Sequence, residues 1–353
     1  MVQGGEFGRF GAAHRVIAAA VEARAFPAAT VEVGDATQVL WSEALGRLTF
    51  DADAPATRPD TVFDLASLTK VLSTTSIVMQ EVERGAIGLD EPVSQYIPAW
   101  TGADRACVTV RDLLAHSSGL PAHRHFYDTM SGRAAIERAV CATPLEYEPG
   151  TRSIYSDLGF MLLGFLLEDR VPLPQRFTAL RSQVGVVEDL QFHPPTHWRR
   201  RIAPTEQPFR RQVVIGAVGD ENAEALGGAA GHAGLFGTAA AVGQYARHTL
   251  QVLTGKVGAF QRETLEMFIT KRSDVPGSSR ALGWDTMLPT SSCGSLMSPR
   301  SFGHTGFTGT SVWIDPDRGL YIVLLTNRVH PSSANDAIRQ VRPAFHDAVM
   351  NEI

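Results

Sequence analysis

Apolar residues that alternate with polar ones, the mark of a half-buried strand, occur at the two ends of this chain and hardly at all between them. Residues 28–33 and 39–45 alternate around a Gly34-Asp35 turn and read as a hairpin, and 62–65 as a further extended run. The period of two returns at 281–287, 301–305, 310–314 and 320–325, where Asp315-Pro316-Asp317-Arg318-Gly319 supplies a turn. Helical spacing fills much of the rest. Helices are expected at 10–25, from Ser67 to Gly85, at 113–116 behind the capping box Thr109-Val110-Arg111-Asp112, and at 133–141, 158–168, 239–253 and 261–269. A last helix at 334–350 is expected to kink at Pro343. From Pro172 to Arg211 no period is visible, and an irregular excursion is expected. The simplest packing of this order is an α/β (α+β) fold, in which one sheet is built from both chain ends and a helical domain is inserted. Residues 1–66 with 255–353 would form the sheet domain, and 67–254 a mostly helical one.

Charge excludes some partners. The formal net charge is −5 over 353 residues, which gives no footprint for nucleic acid or an acidic membrane surface. The best apolar run near the start, 16–21, is cut short by Glu22 and Arg24, and Met1 to Glu6 has no basic leader region. No segment approaches the ~18 apolar residues of a membrane span. A soluble cytoplasmic protein is expected, or a periplasmic one if a leader has been removed. Cys107, Cys141 and Cys293 are odd in number and far apart, so buried free thiols are expected rather than disulfides or a zinc knuckle. Nothing in the sequence sets an oligomeric state.

The chemistry concentrates at Ser67-Leu68-Thr69-Lys70. A serine and a lysine three apart share one face of a helix start, which puts an amine beside a hydroxyl. Such a pair is one way to make serine a nucleophile. Lys70 is one of three lysines in a chain otherwise rich in arginine. Tyr155-Ser156-Asp157 adds a phenol and a carboxylate, and His304-Thr305-Gly306, on an expected strand, adds a donor, a hydroxyl and a close-approach glycine.

These three motifs, in this order, resemble those of the class C β-lactamase and penicillin-binding-protein superfamily. Further similar stretches are 113–121, Pro149-Gly150, 228–238, 280–284 and 326–331, so the resemblance runs from about Phe10 to the end. It implies a β-lactamase-like fold, with an antiparallel sheet flanked by the terminal helices, an inserted all-helical domain and an active site in the cleft between the two. It implies a serine hydrolase working through an acyl-enzyme on a small ester, amide or β-lactam, without metal or cofactor. Ser67 would be acylated, Lys70 would help take its proton, and Tyr155 would act as base or proton relay. Backbone N–H groups of Ser67 and Phe307 would form the oxyanion hole, with Asp157, His304, Thr305 and Gly306 lining the substrate.

Two positions depart from the pattern. Asp157 stands where many relatives have Asn, and pairing with Lys70 would keep that amine protonated. His304 stands where β-lactamases and D,D-peptidases usually have Lys, so the fixed cation for a substrate carboxylate is missing. Both changes are familiar in the esterase and amidase branches, so ester or amide hydrolysis is expected ahead of efficient β-lactam turnover. A true β-lactamase, a D,D-peptidase, a penicillin-binding sensor that acylates without turnover and a transacylase are the alternatives. Local phrasing around 220–223, the glycine-rich stretch and 327–330 is similar to a branch that includes cell-wall muropeptide amidases.

Other candidates carry less. His123 and His125 have no third ligand at metal spacing and read as a loop pair. The glycine-rich 227–234 lacks the Lys-Ser/Thr of a phosphate cradle and suggests close backbone packing near a site. His232, within it, would either line the pocket or satisfy a backbone carbonyl.

Overall fold

The computed structural model describes residues 9–353 except 170, 273, 274 and 276; Met1 to Glu6, where a leader was sought, lie outside them. The first part of the chain contains α1 (Gly11–Glu22), β1 (Ala28–Asp35), β2 (Val39–Gly46), β3 (Phe63–Asp64), α2 (Ser76–Glu83), α3 (Val110–Leu114), α4 (Arg133–Ala142) and α5 (Asp157–Leu167). The middle continues with α6 (Leu173–Val184), β4 (Leu190–Phe192), β5 (Thr205–Gln207), β6 (Gln212–Val214), α7 (Glu221–Ala225), β7 (Leu235–Gly237), α8 (Ala239–Leu253) and α9 (Arg262–Ile269). The last part holds β8 (Asp285–Thr286), β9 (Phe302–Thr305), β10 (Ser311–Asp315), β11 (Leu320–Thr326) and α10 (Ile338–Asn351).

Both chain ends do enter one sheet. Its antiparallel order is β2-β1-β11-β10-β9-β8, with Thr30 opposite Leu325 and Val33 opposite Ile322. The alternation of β11 explains why the sheet is covered on both faces. Tyr321, Val323 and Leu325 point into the main core, against which α8 packs, while Ile322 and Leu324 point into a second core beneath α1 and α10. Trp313, Phe345 and Val349 fill that second core at 0% exposure. Truncating a Leu there to Ala typically costs about 2–5 kcal/mol.

The inserted segment is not all-helical. Strand β7 lies between β3 and β4 in a small sheet, and β5 and β6 form a hairpin. The excursion from Pro172 also contains α6, whose Pro174 sits in the first helical turn, where a missing N–H costs nothing. Prolines that read as breakers are here a helix start. The expected strand 281–287 shrinks to β8 because Gly283 turns the chain at φ +83°, with its Cα against the Thr75 side chain. Pro343 lies inside α10 without interrupting it, and Cys107 is exposed rather than buried.

Candidate active site

The turn that carries Ser67 starts under strain. Ala66 has φ +46°, a left-handed conformation costly for a residue with a side chain. Buried Asp64 holds it there by accepting from the Ala66 N–H (2.9 Å) and the Gly219 N–H (2.7 Å). Burial raises the Asp64 carboxyl to about 6 in spite of those bonds. The N–H groups of Leu68, Thr69 and Lys70 then bond three residues back, to Leu65, Ala66 and Ser67, so the first turn is tight rather than α-helical. Lys70–Thr75 is wound wider, as a π-turn, and only then does α2 begin. Ser67 is left half-buried at the mouth, with Lys70 fully buried behind it.

Lys70 Nζ has three near partners. It donates to Ser67 Oγ at 3.0 Å, to Asp157 Oδ1 at 2.7 Å and to the His232 carbonyl at 3.1 Å. Those three bonds use all the donors of an ammonium and leave no lone pair for a base. Burial alone would lower the Lys70 pKa, but the charge of Asp157 and the neighbouring Tyr155 outweigh it and the value is raised. Asp157 opens α5, where the helix dipole favours an anion, and its Oδ2 accepts a long bond from His123 Nδ1–H at 3.4 Å. Burial pushes the Asp157 carboxyl up, but Lys70 and His123 hold it far below the usual carboxylate range.

Tyr155 sits between charged and aromatic neighbours. Lys70 Nζ lies 4.8 Å from its ring centre, the Arg280 guanidinium 5.1 Å from it, and the His116 and His304 rings pack on it at 4.6 and 5.8 Å. Its shielded Oη forms no well-aligned hydrogen bond, but it lies close enough to Lys70 and Ser67 to interact with both. Burial raises the phenol pKa, and Asp157 adds to the rise while Lys70 opposes it.

His304 Nδ1–H donates to the Thr305 carbonyl at 2.8 Å, which leaves Nε2 as an unpartnered acceptor. Burial, Arg280 and Lys70 push this imidazole well below its usual pKa, so it is neutral at pH 7. Beyond it, Gly306 packs on the nucleophile turn: a Cβ there would meet the Leu65 carbonyl at 2.6 Å and overlap the Thr310 hydroxyl. Thr308 Oγ1 donates to the Asp64 carbonyl at 2.7 Å and Thr310 Oγ1 to that of Leu65 at 3.1 Å. These contacts hold Phe307 beside Ser67, and both line one cavity of about 310 Å³ with Tyr155, His304, Thr305 and Gly306. Among the described residues no hydrogen bond uses the Ser67 or Phe307 N–H.

The expected site residues therefore meet: Ser67, Tyr155, His304, Thr305, Gly306 and Phe307 line one opening, and Lys70 with Asp157 lies behind Ser67. Several neighbours were not singled out from the sequence. His116 Nδ1 accepts from the Ser156 N–H at 3.0 Å, and His123, read as a loop residue, reaches Asp157. His232 meets neither expectation with its ring: Nε2–H donates to Asp220 at 2.8 Å, while its carbonyl accepts from Lys70. Close packing does occur in the glycine-rich stretch, where Gly231 abuts Phe160 and Gly164 of α5. Their places within the family-like stretches 113–121 and 280–284 were usable signals for His116 and Arg280. Among the described residues no cluster of His, Cys, Asp and Glu is placed to hold a metal ion, and no helix is long and apolar enough to cross a membrane.

The chain is similar to several known proteins. A putative D-alanyl-D-alanine carboxypeptidase of Escherichia coli K12 is 32% identical over 315 residues, covering 78% of this chain and 71% of that protein. A penicillin-binding-protein homologue from Caulobacter crescentus superposes with a TM-score of 0.76 at 20% identity, over 98% of both chains. EstCE1, described as a hydrolase with promiscuous acyltransferase activity, superposes with a TM-score of 0.70 at 21% identity, over 93% of this chain and 97% of its own. A family match spans residues 13–344, and on that match the chain belongs to the Beta-lactamase family.

Proposed function

We propose that this family member is a serine hydrolase that acylates Ser67 with a small ester or amide and releases the acyl group to water. The supporting observation is the contact of Ser67 Oγ with a fully committed Lys70 ammonium, beside the Tyr155 hydroxyl and two unspent backbone N–H groups. The opening lies between the sheet, drawn from 1–66 and 255–353, and the mostly helical 67–254.

In this reading Lys70 is a fixed charge and not a base. Tyr155 relays: its Oη takes the Ser67 proton while handing its own to the leaving oxygen or nitrogen, as Ser67 Oγ bonds to the carbonyl carbon and the leaving group departs. The Ser67 and Phe307 N–H groups hold the oxyanion; losing one such donor typically costs ~10²–10³ in rate. In deacylation the oxygen of a water bonds to the acyl carbon as its proton passes to Tyr155; the bond from that carbon to Ser67 Oγ breaks, Tyr155 returns its own proton to Oγ, and the acid leaves. Lys70 and Tyr155 are protonated before and after each step, in keeping with the raised pKa of both.

Neutral His304 removes the strand cation, which favours esters and simple amides over β-lactams. The carboxypeptidase name of the E. coli relative makes a D-Ala-D-Ala peptide worth including, and the acyltransferase activity of EstCE1 favours a transacylase as the second reading. Intact mass after a fluorophosphonate should show one adduct, on Ser67, and a short-chain aryl ester should turn over. Unchanged turnover in Ser67→Ala would refute the proposal. Acyl transfer to an added alcohol in preference to water would favour the second reading.

A further inference from the structure

The Phe307 N–H, one of the two donors assigned to the oxyanion, belongs to a turn whose carbonyls are all held from elsewhere. Residues 306–310 join β9 to β10. Arg328 donates to this turn twice, from Nε to Phe307 O at 2.8 Å and from its backbone N–H to Thr308 O at 2.9 Å. Thr326 Oγ1 donates to Gly309 O at 3.1 Å. Arg342, on α10, reaches in with Nη2 and donates to both Gly306 O and Thr310 O at 2.9 Å.

Those last two carbonyls do not need Arg342 for a partner. The Gly309 N–H already donates to Gly306 O at 3.1 Å, and the Gly306 N–H to Thr310 O at 2.7 Å. What the guanidinium adds is charge. Arg342 is 8% exposed, its Nε meets no partner, and no acid pairs with it among the described residues. A buried cation without an acid is unfavourable, and here it is set against a single turn. Burial and the neighbouring Arg328 lower its pKa to about 9, so it is still protonated at pH 7.

Gly306 C=O and Phe307 N–H are the two ends of one trans peptide unit, and they point in opposite directions. A donor that fixes the oxygen therefore fixes the direction of the N–H as well. A cation on that oxygen also draws electron density from the nitrogen, which makes the N–H a stronger donor. We infer that Arg342 is a positioning residue of the oxyanion hole: it grips the Gly306–Phe307 peptide by its oxygen, and so aims and polarises the N–H that meets the substrate's carbonyl oxygen.

The inference rests on the acyl-enzyme reading for what this N–H binds, and its first test needs no substrate. Hydroxide-catalysed exchange of a peptide N–H passes through an imidate anion, whose charge gathers on the oxygen that Arg342 holds. Phe307 can be followed by NMR in protein carrying isotope-labelled phenylalanine, its resonance identified with Phe307→Leu. Arg342→Gln keeps a neutral donor and Arg342→Met keeps only the bulk. Each should slow exchange at Phe307 about 10-fold, while Arg342→Lys should stay near wild type. A merely structural role predicts the reverse, because a loosened turn exchanges faster. Faster or unchanged exchange in the neutral variants would overturn the inference.

The second test uses p-nitrophenyl acetate and its thionoester, whose sulfur is a weak acceptor. Arg342→Gln should cut kcat/KM for the ester about 10–100-fold with KM little changed, and for the thionoester much less. Arg342→Lys should restore part of the loss. Equal losses on the two substrates would mean that Arg342 serves only the fold and would overturn the inference. Retained turnover in Ser67→Ala would refute the acyl-enzyme alone and leave the exchange result standing.

Discussion

Lys70 Nζ and Asp157 Oδ1 stand 2.7 Å apart behind the nucleophile, with the lysine at 0% and the aspartate at 19% side-chain exposure. The pair turns an amine that could have been a base into a permanent cation.

Asp157→Asn keeps the shape and removes the charge. Asp157 raises the pKa of both Lys70 and Tyr155, so its loss lowers both. If catalysis needs both protonated, the alkaline limb of the kcat/KM profile should move to lower pH by about 1–3 units. The carboxyl itself is depressed in the folded state, so it stabilises the fold above its unfolded pKa of ~3.9 and that contribution is lost as pH falls below it. The variant should therefore be less stable than wild type at pH 7, with the gap closing in strong acid. Urea titrations at several pH values check this.

Gly306→Ala should separate Phe307 from Ser67. Its Cβ would press on Leu65 O and Thr310, and the turn has to shift. The expected result is a kcat loss of about 10²–10³ with a smaller change in KM. A lower Tm should accompany it, and steady-state kinetics with thermal melts read both.

Glu32 offers a pH test remote from the chemistry. It is 3% exposed, accepts from Tyr321 Oη at 2.8 Å, and burial raises its carboxyl to about 7. A carboxyl raised by folding stabilises fully below its unfolded pKa and loses that contribution as pH climbs to the folded value. Glu32→Gln, which retains an acceptor for Tyr321, should be near neutral at pH 4.5 and more stable than wild type at pH 8. The expected gain is on the order of 2 kcal/mol, reduced by what Arg247 loses. A gain at low pH instead would contradict the assignment.

His116→Phe preserves a ring against Tyr155 but removes the acceptor for the Ser156 N–H. An orphaned buried N–H costs about 1–3 kcal/mol. Because Ser156 caps α5 just before Asp157, kcat should fall with stability. A kcat loss with unchanged Tm would point to a direct chemical role for His116 Nε2.

The sheet and the three motifs were legible because each depends on local pattern: β11 is a short apolar run behind a turn, and Ser67 to Lys70 is a single turn. Helix α6 was hidden because Pro172 and Pro174 look like breakers until their place at a helix start is known. The direction of a histidine is harder still. His116, His123, His232 and His304 have the same side chain. Their roles as acceptor, carboxylate partner, Asp220 donor and Thr305 donor are assigned by residues up to 40 positions away. Arg280 opens the stretch 280–284, but only the folded cavity shows its guanidinium over Tyr155.

The clasp of Thr308 on the Asp64 carbonyl joins positions 244 residues apart and sets Phe307 next to Ser67. On the proposed mechanism the anion hole is thus half N-terminal and half C-terminal. A chain still emerging from the ribosome holds its serine and lysine long before it holds the second N–H, and can attack nothing efficiently until its last strands are in place. Under that mechanism hydrolysis would switch on with the closing of the sheet, and turnover would itself report completed folding.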